Sequence, residues 1–411
     1  MNANHSLLGL SRQPKAIHFG PGQRFTLPAA ITAIGRHALF CTDARMAGSA
    51  EFQELVTASE AAGVEVVVYA GVEAELPRSN VEELVARVGA TTIDVVVGIG
   101  GGSCLDMAKV ASVMLAHGGA VSDYYGEFRV PGPATPLITM PTTGGTGAEI
   151  TCIAVVYDPE LKMKVGVASP FLEAQTAIVD PELTLSCPPG LTAATGADAL
   201  SHLVEAFTAR AKNPTPEEIA AHLYVGKNLL TDGYCRVGLG LIGTSLPRVY
   251  EEPGDLTARS EQMLASLNAG LAINTTGTAG MHALQSPIGA LTHTPHGVGV
   301  GTLLPYVARF NLPERLAEFA EIGRLLGAAD GSEPLEEQAH LGIERAETIL
   351  AGIGVPRDLA ALGLDRADIP EVARQAMQAT RLTANNPREL TIEAAILILE
   401  KAYEGDHSWW S

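Results

Sequence analysis

The chain has 411 residues, too many for one ordinary hydrophobic core, so two domains are expected. Its 27 basic and 46 acidic residues give a net charge of −19, which argues against nucleic acid and anionic membrane surfaces as partners. The five cysteines lack CxxC spacing, which is typical of reduced thiols and argues against a disulfide framework or a cysteine-based zinc site. Because we find neither the apolar stretch of a signal peptide nor a run long enough to span a bilayer, we expect a soluble, cytoplasmic protein.

In the first half of the sequence, short apolar runs alternate with stretches of helical period. The run 93–99 has almost no polar alternation, which is typical of a parallel strand buried on both faces. Alternation of strands and helices at this spacing indicates βαβ units. The predicted strands are 38–41, 64–69, 93–99, 136–140, 151–157 and 174–179, and the predicted helices are 51–62, 81–88 and 103–116.

The character of the sequence changes after Pro188-Pro189-Gly190. From about Thr192 onward helical periods dominate and β-branched runs disappear, and the prolines mark a boundary. We therefore predict an α/β domain with a parallel sheet over residues 1–189 and an all-helical domain over residues 190–411. The tail carries both tryptophans, Trp409 and Trp410, to which we assign no chemistry.

A glycine-rich turn, Gly100-Gly101-Gly102-Ser103, follows the apolar strand and opens a helix. Glycines let backbone N–H groups approach an anion closely, and the helix N-terminus adds partial positive charge, so the turn suits a phosphate. A tight turn without a ligand explains the same residues about equally well. The pattern is neither the G-x-G-x-x-G fingerprint nor a Walker A loop, since no Gly-Lys-Ser/Thr follows.

A second cluster of glycine and threonine, residues 141–149, begins where the predicted strand 136–140 ends. The hydroxyls of Thr142, Thr143 and Thr146 and the free N–H groups beside them suit contacts to polyphosphate or to a nicotinamide carboxamide. A plain loop is the alternative. Two such clusters, each directly after a strand, favour a ligand.

Asp43 ends the first clear strand, where a helix is about to begin. A carboxylate there can bind the adenosine ribose hydroxyls of NAD and would repel the 2′-phosphate of NADP. A helix N-cap is the commoner role for a single aspartate. In the dinucleotide fingerprint the acid follows the glycines, whereas Asp43 precedes them, so a conventional Rossmann order is disfavoured.

Four residues of metal-ligand type, Asp198, His202, His282 and His296, lie in the second half. Asp198 and His202 are four apart and would share one face of a helix. Imidazole and carboxylate suit Zn²⁺ or Fe²⁺, whereas calcium would want more oxygen ligands. Each residue alone has a commoner structural explanation, and spacing does not prove that the four converge. Four in one domain nevertheless favour a divalent metal.

In this order the motifs resemble those of the iron-containing (group III) alcohol dehydrogenase family. The resemblance runs from about Phe19 to the end of the chain, and its combined order is far more specific than any single piece. The matching pieces are Thr42-Asp43, residues 100–109 with Asp106 and Lys109, residues 141–149, 180–184 and 195–206, and residues 283–297 ending in Pro-His-Gly.

The family resemblance implies a dinucleotide-binding α/β domain, a helical metal-binding domain and an active site in the cleft between them, an architecture shared with dehydroquinate synthase. It implies hydride transfer between NAD, or NADP, and a small alcohol, aldehyde or ketone, with one Fe²⁺ or Zn²⁺ as Lewis acid. It carries the metal ligands onto Asp198, His202, His282 and His296. It carries cofactor contacts onto Asp43, Gly101, Gly102, Ser103, Asp106, Thr142, Thr143, Thr146, Lys164 and Leu183.

One departure from the family concerns the proton path. Many members have a further histidine four residues after the third ligand, where this chain has Ser286. We therefore name His282 and His293 as candidate catalytic residues, with His293 as a hypothetical substitute for the lost imidazole. A capping or surface histidine is the commoner interpretation of His293.

Three other functions stay open. A relative in the same superfamily could act on an oxoacid or hydroxyacid, as a maleylacetate reductase or a hydroxyacid–oxoacid transhydrogenase does. A dehydroquinate-synthase-like lyase would need clustered lysines and arginines around the metal, and residues 268–306 contain neither residue type. A non-enzymatic nucleotide-binding protein would need no ligand set. For all of the enzymes we expect a small-molecule substrate and, from the base rate for soluble enzymes, a homodimer or larger homo-oligomer.

Overall fold

The apolar runs of the first half form a parallel sheet, and the second half forms helices. The computed structural model describes residues 8–161 and 163–410; residues 1–7, which belong to the N-terminal stretch expected to lack a signal peptide, lie outside the described residues. The chain divides into a first unit, Arg12–Ser186, and a second unit, which runs from Cys187 onward and includes residues 8–11. The predicted boundary after residue 189 falls at the start of the first helix of the second unit.

The strands are β1 (Ala16–Phe19), β2 (His37–Cys41), β3 (Glu65–Tyr69), β4 (Val95–Gly100), β5 (Gly126–Glu127), β6 (Leu137–Pro141), β7 (Ile153–Asp158), β8 (Met163–Ala168) and β9 (Thr176–Val179). The helices of the first unit are α1 (Leu27–Thr32), α2 (Ala44–Ala47), α3 (Ala50–Ala61), α4 (Arg78–Val88) and α5 (Gly102–His117). The helices of the second unit are α6 (Pro189–Thr208), α7 (Pro216–Ala221), α8 (Leu229–Glu251), α9 (Leu256–Thr276), α10 (Gly280–Thr292), α11 (His296–Asn311), α12 (Leu316–Leu325), α13 (Leu335–Gly352), α14 (Ile369–Ala376), α15 (Thr380–Asn385) and α16 (Ile392–Glu404).

Six strands of the first unit form one sheet in the order β1-β9-β6-β4-β2-β3. Every neighbouring pair is parallel, with Phe40 of β2 and Ile138 of β6 on either side of Val97 in β4. A smaller sheet has the order β5-β8-β7, and there β7 and β8 are antiparallel. The predicted α/β unit with a parallel sheet and the predicted helical unit are both confirmed.

Strand β4 is buried on both faces, as its apolar run predicts. Successive side chains of a strand point to opposite faces. Val95 and Val97 belong to the same core as Phe40 of β2, which α1 and α3 cover, whereas Val96 packs in the core that α4 and α5 cover. The first unit therefore has helices on both faces of its sheet.

The predicted elements are present with small shifts at their ends, and three strands of the described residues, β1, β5 and β8, were not predicted. Strand β8 escapes prediction because Met163 is exposed and Lys164 and Gly166 dilute its apolar pattern. Strand β1 is a four-residue edge strand whose residues are all only partly buried.

Helix α6 is the centre of the second unit and is buried along most of its length, which is typical of a helix surrounded by others. It packs against α8, α9 and α11. Glycines permit the close crossings: a Cβ at Gly196 would lie 2.1 Å from a methyl carbon of Leu246, and one at Gly238 would lie 2.4 Å from a methyl carbon of Leu203. No helix in the described part of the chain is long and apolar enough to cross a membrane.

The C-terminal tail packs onto the second unit. The ring of Trp410 stacks on His340 with 3.9 Å between the ring centroids, and the guanidinium of the buried Arg309 lies 4.7 Å from the centroid of Trp410. This packing gives the tail a structural role.

A substitution in the core of the first unit tests this packing. Phe52 is buried and meets Phe40 edge to face at 6.2 Å. Phe52→Ala should lower the free energy of unfolding by about 3–5 kcal/mol, because it leaves a cavity and removes the aromatic pair. Chemical denaturation followed by circular dichroism measures the loss. The exposed neighbour Glu54→Ala should stay within about 0.5 kcal/mol of the parent, and an equal loss in both variants would contradict the assignment.

Candidate functional site

Three helices of the second unit bring the four predicted metal ligands together. Asp198 and His202 lie one turn apart on α6, His282 is in the first turn of α10, and His296 is the first residue of α11. The Nε2 atoms of His202, His282 and His296 lie 3.5, 3.6 and 3.7 Å from a single carboxylate oxygen, Asp198 Oδ1. Residues separated by almost one hundred positions in sequence thus share one small volume.

The imidazole rings are arranged around that oxygen. The rings of His202 and His282 are nearly parallel, with centroids 4.7 Å apart, and those of His282 and His296 are 5.2 Å apart. One ligand atom each from Asp198, His282 and His296 lies within 4.8 Å of the others. Three imidazole nitrogens and one carboxylate oxygen are a donor set that first-row divalent ions such as Fe²⁺ and Zn²⁺ accept.

The polar atoms at the centre of this cluster fit a cation. Asp198 Oδ1 and His282 Nε2 are buried and form no hydrogen bond with any residue that the structure describes. Leaving such atoms unsatisfied costs free energy, which coordination of a metal would offset. Burial opposes ionisation of Asp198, but the three imidazoles around it prevail and lower the pKa of its carboxyl well below the usual range.

Burial of the cluster is uneven. The side chains of Asp198, His202 and His282 are less than 9% exposed, whereas that of His296 is 36% exposed. Solvent therefore reaches the cluster beside His296. Catalytic metal sites differ from structural ones in keeping one side open to water or substrate.

In the first unit the two glycine-rich clusters meet at the ends of their strands. Gly100, at the end of β4, has a φ of 151°, and Gly101 is the N-cap residue of α5 and provides no side-chain cap. A Cβ at Gly102 would lie only 3.0 Å from the methyl carbon of Thr146, and one at Gly101 would lie 3.8 Å from that of Thr143. The uncapped N–H groups of a helix that follows a parallel strand fit a phosphate.

Asp43 lies beside this turn, and each of its two carboxylate oxygens has a hydrogen-bond partner. Its Oδ1 accepts a hydrogen bond from the backbone N–H of Met46 and caps α2, and its Oδ2 lies 3.7 Å from the thiol sulfur of Cys104. Burial first, and then the charge of Asp43, raise the pKa of the Cys104 thiol to about 12, so it is a hydrogen-bond donor. The capping role is therefore present, and the predicted role in binding ribose stays a prediction.

The other residues predicted to contact the coenzyme have partners of their own in the first unit. Asp106 accepts a hydrogen bond from the backbone N–H of Val155, and the ammonium of Lys164 pairs with the carboxylate of Glu75. Thr142 is buried, and its backbone N–H donates to the carbonyl of Gly100. Two further residues predicted to contact the coenzyme are Leu183 and Ser103. Leu183 is buried in the apolar core, and Ser103 is half-buried in the first turn of α5.

Comparison with known proteins assigns the chain to a family. Residues 14–181 match the model named "Iron-containing alcohol dehydrogenase", and residues 192–403 match the model of the C-terminal part of the "Fe-containing alcohol dehydrogenase family". The chain belongs to the iron-containing alcohol dehydrogenase family.

Individual relatives cover nearly the whole chain. It is 34% identical over 397 residues to long-chain-alcohol dehydrogenase 1 of Geobacillus thermodenitrificans (strain NG80-2), with 95% of this chain and 96% of that protein covered. It is 31% identical over 372 residues to sulfoacetaldehyde reductase of Bilophila wadsworthia (strain 3_1_6), with 90% and 92% covered. The solved structure of an alcohol dehydrogenase from Oenococcus oeni superposes with a TM-score of 0.90 at 28% identity, covering 96% of this chain and all of that one.

Family membership establishes the class of reaction. The protein is an NAD-linked, metal-dependent oxidoreductase of alcohols and aldehydes, which confirms the resemblance seen in the sequence. The family's coenzyme is NAD(H) and its metal is a divalent ion, iron in the family's name. The lyase and the non-enzymatic alternatives are thereby set aside.

Glu205 lies within the matching motif of residues 195–206, and the sequence assigns it no role. The carboxylate of Glu205, on α6, accepts a hydrogen bond of 2.7 Å from Nδ1 of His282 and others from the backbone N–H groups of Ala279 and Met281. Burial favours the neutral imidazole of His282, but Glu205 and Asp198 outweigh it and raise the pKa of His282 to about 9. Its spacing of three from His202 is the only sequence signal, and that spacing is common on any helix.

The two residues tied to the proton path are both exposed. Ser286 lies one turn after His282 on α10, and His293 ends that helix with a φ of 56°. A left-handed residue at this position terminates the helix, which matches the capping interpretation of His293. Its predicted catalytic role stays a prediction.

Gly297, the last residue of the Pro-His-Gly motif, lets α11 approach α6 beside the predicted metal ligands. A Cβ there would lie 1.9 Å from the carbonyl oxygen of Ala194 and 3.0 Å from the Cβ of Asp198. A side chain at this position must therefore displace His296 relative to Asp198.

Gly297→Ala should lower the free energy of unfolding by about 1–3 kcal/mol through overpacking and should weaken metal binding. Thermal denaturation and a Zn²⁺ titration with a chromophoric competitor measure the two effects. Gly190→Ala is the matched control, because Gly190 is on α6 and a Cβ there meets nothing within 4 Å. That variant should keep its metal affinity and gain about 0.5–1 kcal/mol; unchanged metal affinity in Gly297→Ala would contradict the packing account.

Proposed function

We propose that the chain is an alcohol dehydrogenase that interconverts a small alcohol and its aldehyde or ketone with NAD(H), and that Asp198, His202, His282 and His296 hold its single metal. The observation that carries the proposal is the convergence of three imidazole Nε2 atoms within 3.7 Å of one carboxylate oxygen. The names of two relatives support the substrate class, since one refers to an alcohol and the other to an aldehyde. The metal is Fe²⁺ or Zn²⁺, both of which this donor set accepts.

The side chains of the second unit have separate tasks in this proposal. A bound divalent metal supplies Lewis-acid chemistry at a substrate oxygen. When the carboxylate of Asp198 is ionised and the three imidazoles are neutral, the four side chains together carry one negative charge. In this state they can bind a dication. The exposed side of the cluster, beside His296, is the side from which a substrate enters.

The first unit supplies the coenzyme site in this proposal. The N–H groups of Gly102 and Ser103 bind the pyrophosphate, and Thr143 and Thr146 line the same turn. The carboxylate of Asp43 binds the adenosine ribose and favours NAD over NADP by repulsion of the 2′-phosphate. The sequence-based expectation of a cytoplasmic homodimer or larger homo-oligomer belongs to this proposal as well.

The first experiment measures metal content and NAD(H)- and NADP(H)-linked turnover of anaerobically purified protein over alcohols, aldehydes and oxoacids. We expect about one metal per chain and metal-dependent turnover of an alcohol–aldehyde pair. His282→Ala should lose the metal. Its activity should fall by more than the roughly 10–100-fold that is typical when a residue hydrogen-bonded to a metal ligand is replaced. His222→Ala, at an exposed histidine beyond the end of α7, is the control and should match the parent. Full metal content in His282→Ala would refute the ligand assignment.

Coenzyme preference tests Asp43. Asp43→Ser removes the charge but keeps a side chain that caps helices well, so α2 should survive. The ratio of kcat/KM for NAD to that for NADP should fall by at least about tenfold, which corresponds to removal of a repulsion of about 1.4 kcal/mol. Ser49→Ala, which removes the cap of α3, should change stability and leave this ratio unchanged. An unchanged ratio in Asp43→Ser would remove the proposed role.

A further inference from the structure

Glu205 makes four hydrogen bonds at one end of α10. Its carboxylate accepts from the backbone N–H groups of Ala279 at 2.7 Å, Met281 at 2.6 Å and His282 at 3.4 Å, and from the ring atom Nδ1 of His282 at 2.7 Å. The side chain is buried, with 2% of its surface exposed. A carboxylate at this depth is held in one place by donors from a different helix, and it constrains that helix in return.

The chemistry of these bonds decides how His282 carries its proton. An ionised carboxylate only accepts hydrogen bonds, so Nδ1 of His282 must carry the hydrogen. With the hydrogen on Nδ1, a neutral imidazole has its lone pair on Nε2, and Nε2 is the atom that lies 3.6 Å from Asp198 Oδ1. The carboxylate therefore selects both the tautomer and the ring orientation of this ligand.

We propose that Glu205 is the positioning residue of the metal site: it fixes His282 in the Nδ1–H tautomer, with Nε2 directed to the cluster, while it caps α10. The proposal rests on the metal site of the proposed function. The cap is needed because Ala279, the residue before α10, has no side-chain group that accepts a hydrogen bond. A negative charge at a helix N-terminus is also favourable.

These two tasks are separable by experiment. Loss of the cap alone would lower the stability of the fold and leave the metal affinity of the folded protein unchanged. Loss of the tautomer constraint would weaken metal binding in molecules that are fully folded. Affinity of the folded protein is thus the measurement that a purely structural role does not move.

Glu205→Gln is the informative variant because it keeps the size of the side chain. One of its two terminal groups becomes NH₂, which must face donors wherever it lies. Against Nδ1 of His282 it donates, which moves the hydrogen of the neutral ring to Nε2 and blocks the proposed ligand atom. We expect the Zn²⁺ affinity of the full-length apo-protein, from competition with a chromophoric chelator, to fall by about 10–100-fold.

A spectroscopic signature accompanies the loss of affinity. In the Zn²⁺-loaded parent, protein labelled with ¹⁵N-histidine should show a strongly deshielded, slowly exchanging Nδ1 proton for His282. At saturating Zn²⁺ that resonance should shift upfield or disappear in Glu205→Gln. If Glu205→Gln does not fold, Glu205→Asp keeps the acceptor but shortens its reach, and it should show the same two changes to a smaller degree.

Asn385→Ala is the matched control. The side-chain amide of Asn385 donates to the carbonyls of Thr276, Gly277 and Thr278, directly before α10, and among the described residues it forms no hydrogen bond to the cluster. It should lower the melting temperature and keep the parent's Zn²⁺ affinity and Nδ1 signal. Parental affinity and signal in folded Glu205→Gln would overturn the role of Glu205 alone, whereas a parent protein that binds no Zn²⁺ would overturn the metal site itself.

Discussion

The constraint on which the second unit depends is the free-energy cost of burying the carboxylate of Asp198 in the middle of α6, a helix that is buried along most of its length. An isolated buried carboxylate would take up a proton, since burial opposes its ionisation. Three imidazoles around one oxygen reverse that tendency and lower the pKa of Asp198. The same arrangement leaves Asp198 Oδ1 and His282 Nε2 without hydrogen bonds from the described residues, and a cation bound there would satisfy both atoms.

Placing four ligands so close together requires backbones that approach one another closely. Beside the four predicted ligands the approach of α11 to α6 depends on Gly297, and elsewhere on α6 the crossing with α8 depends on Gly196. Glycines at these crossings therefore allow the helix backbones to come close enough to bring the predicted ligands together. The apolar core around them, with Leu200, Leu203 and Leu246 among its members, keeps the helices in these positions.

In the first unit, a parallel sheet brings together the two glycine- and threonine-rich turns. Because β4 and β6 are neighbours and parallel, the turns that follow them emerge at the same edge of the sheet. The glycines after β4 and the threonines after β6 therefore meet, and Gly102 is tight against Thr146 for this reason. The phosphate site proposed at the N-terminus of α5 is suggested by the topology as much as by the residues.

Much of the fold and part of the site could be predicted from the sequence, because they depend on local patterns. The apolar run that became β4, the helix that begins after Gly101, and the shared face of Asp198 and His202 all follow from the periods of strands and helices. The family was recognisable from the order of such motifs. Strand β8 could not be predicted because buried and exposed residues do not alternate along it. It is stabilised by pairing with β7, which the local sequence does not show.

Only the tertiary structure decided which residues meet. His282 and His296 lie on α10 and α11, far along the chain from Asp198, and no local pattern states that their rings surround its carboxylate. The role of Glu205 was invisible for the same reason, since its partners are the first N–H groups and the ring of another helix. Sequence periodicity reports which face of an element is apolar, whereas the contacts between elements arise from packing, and the functional atoms of this protein are brought together by packing.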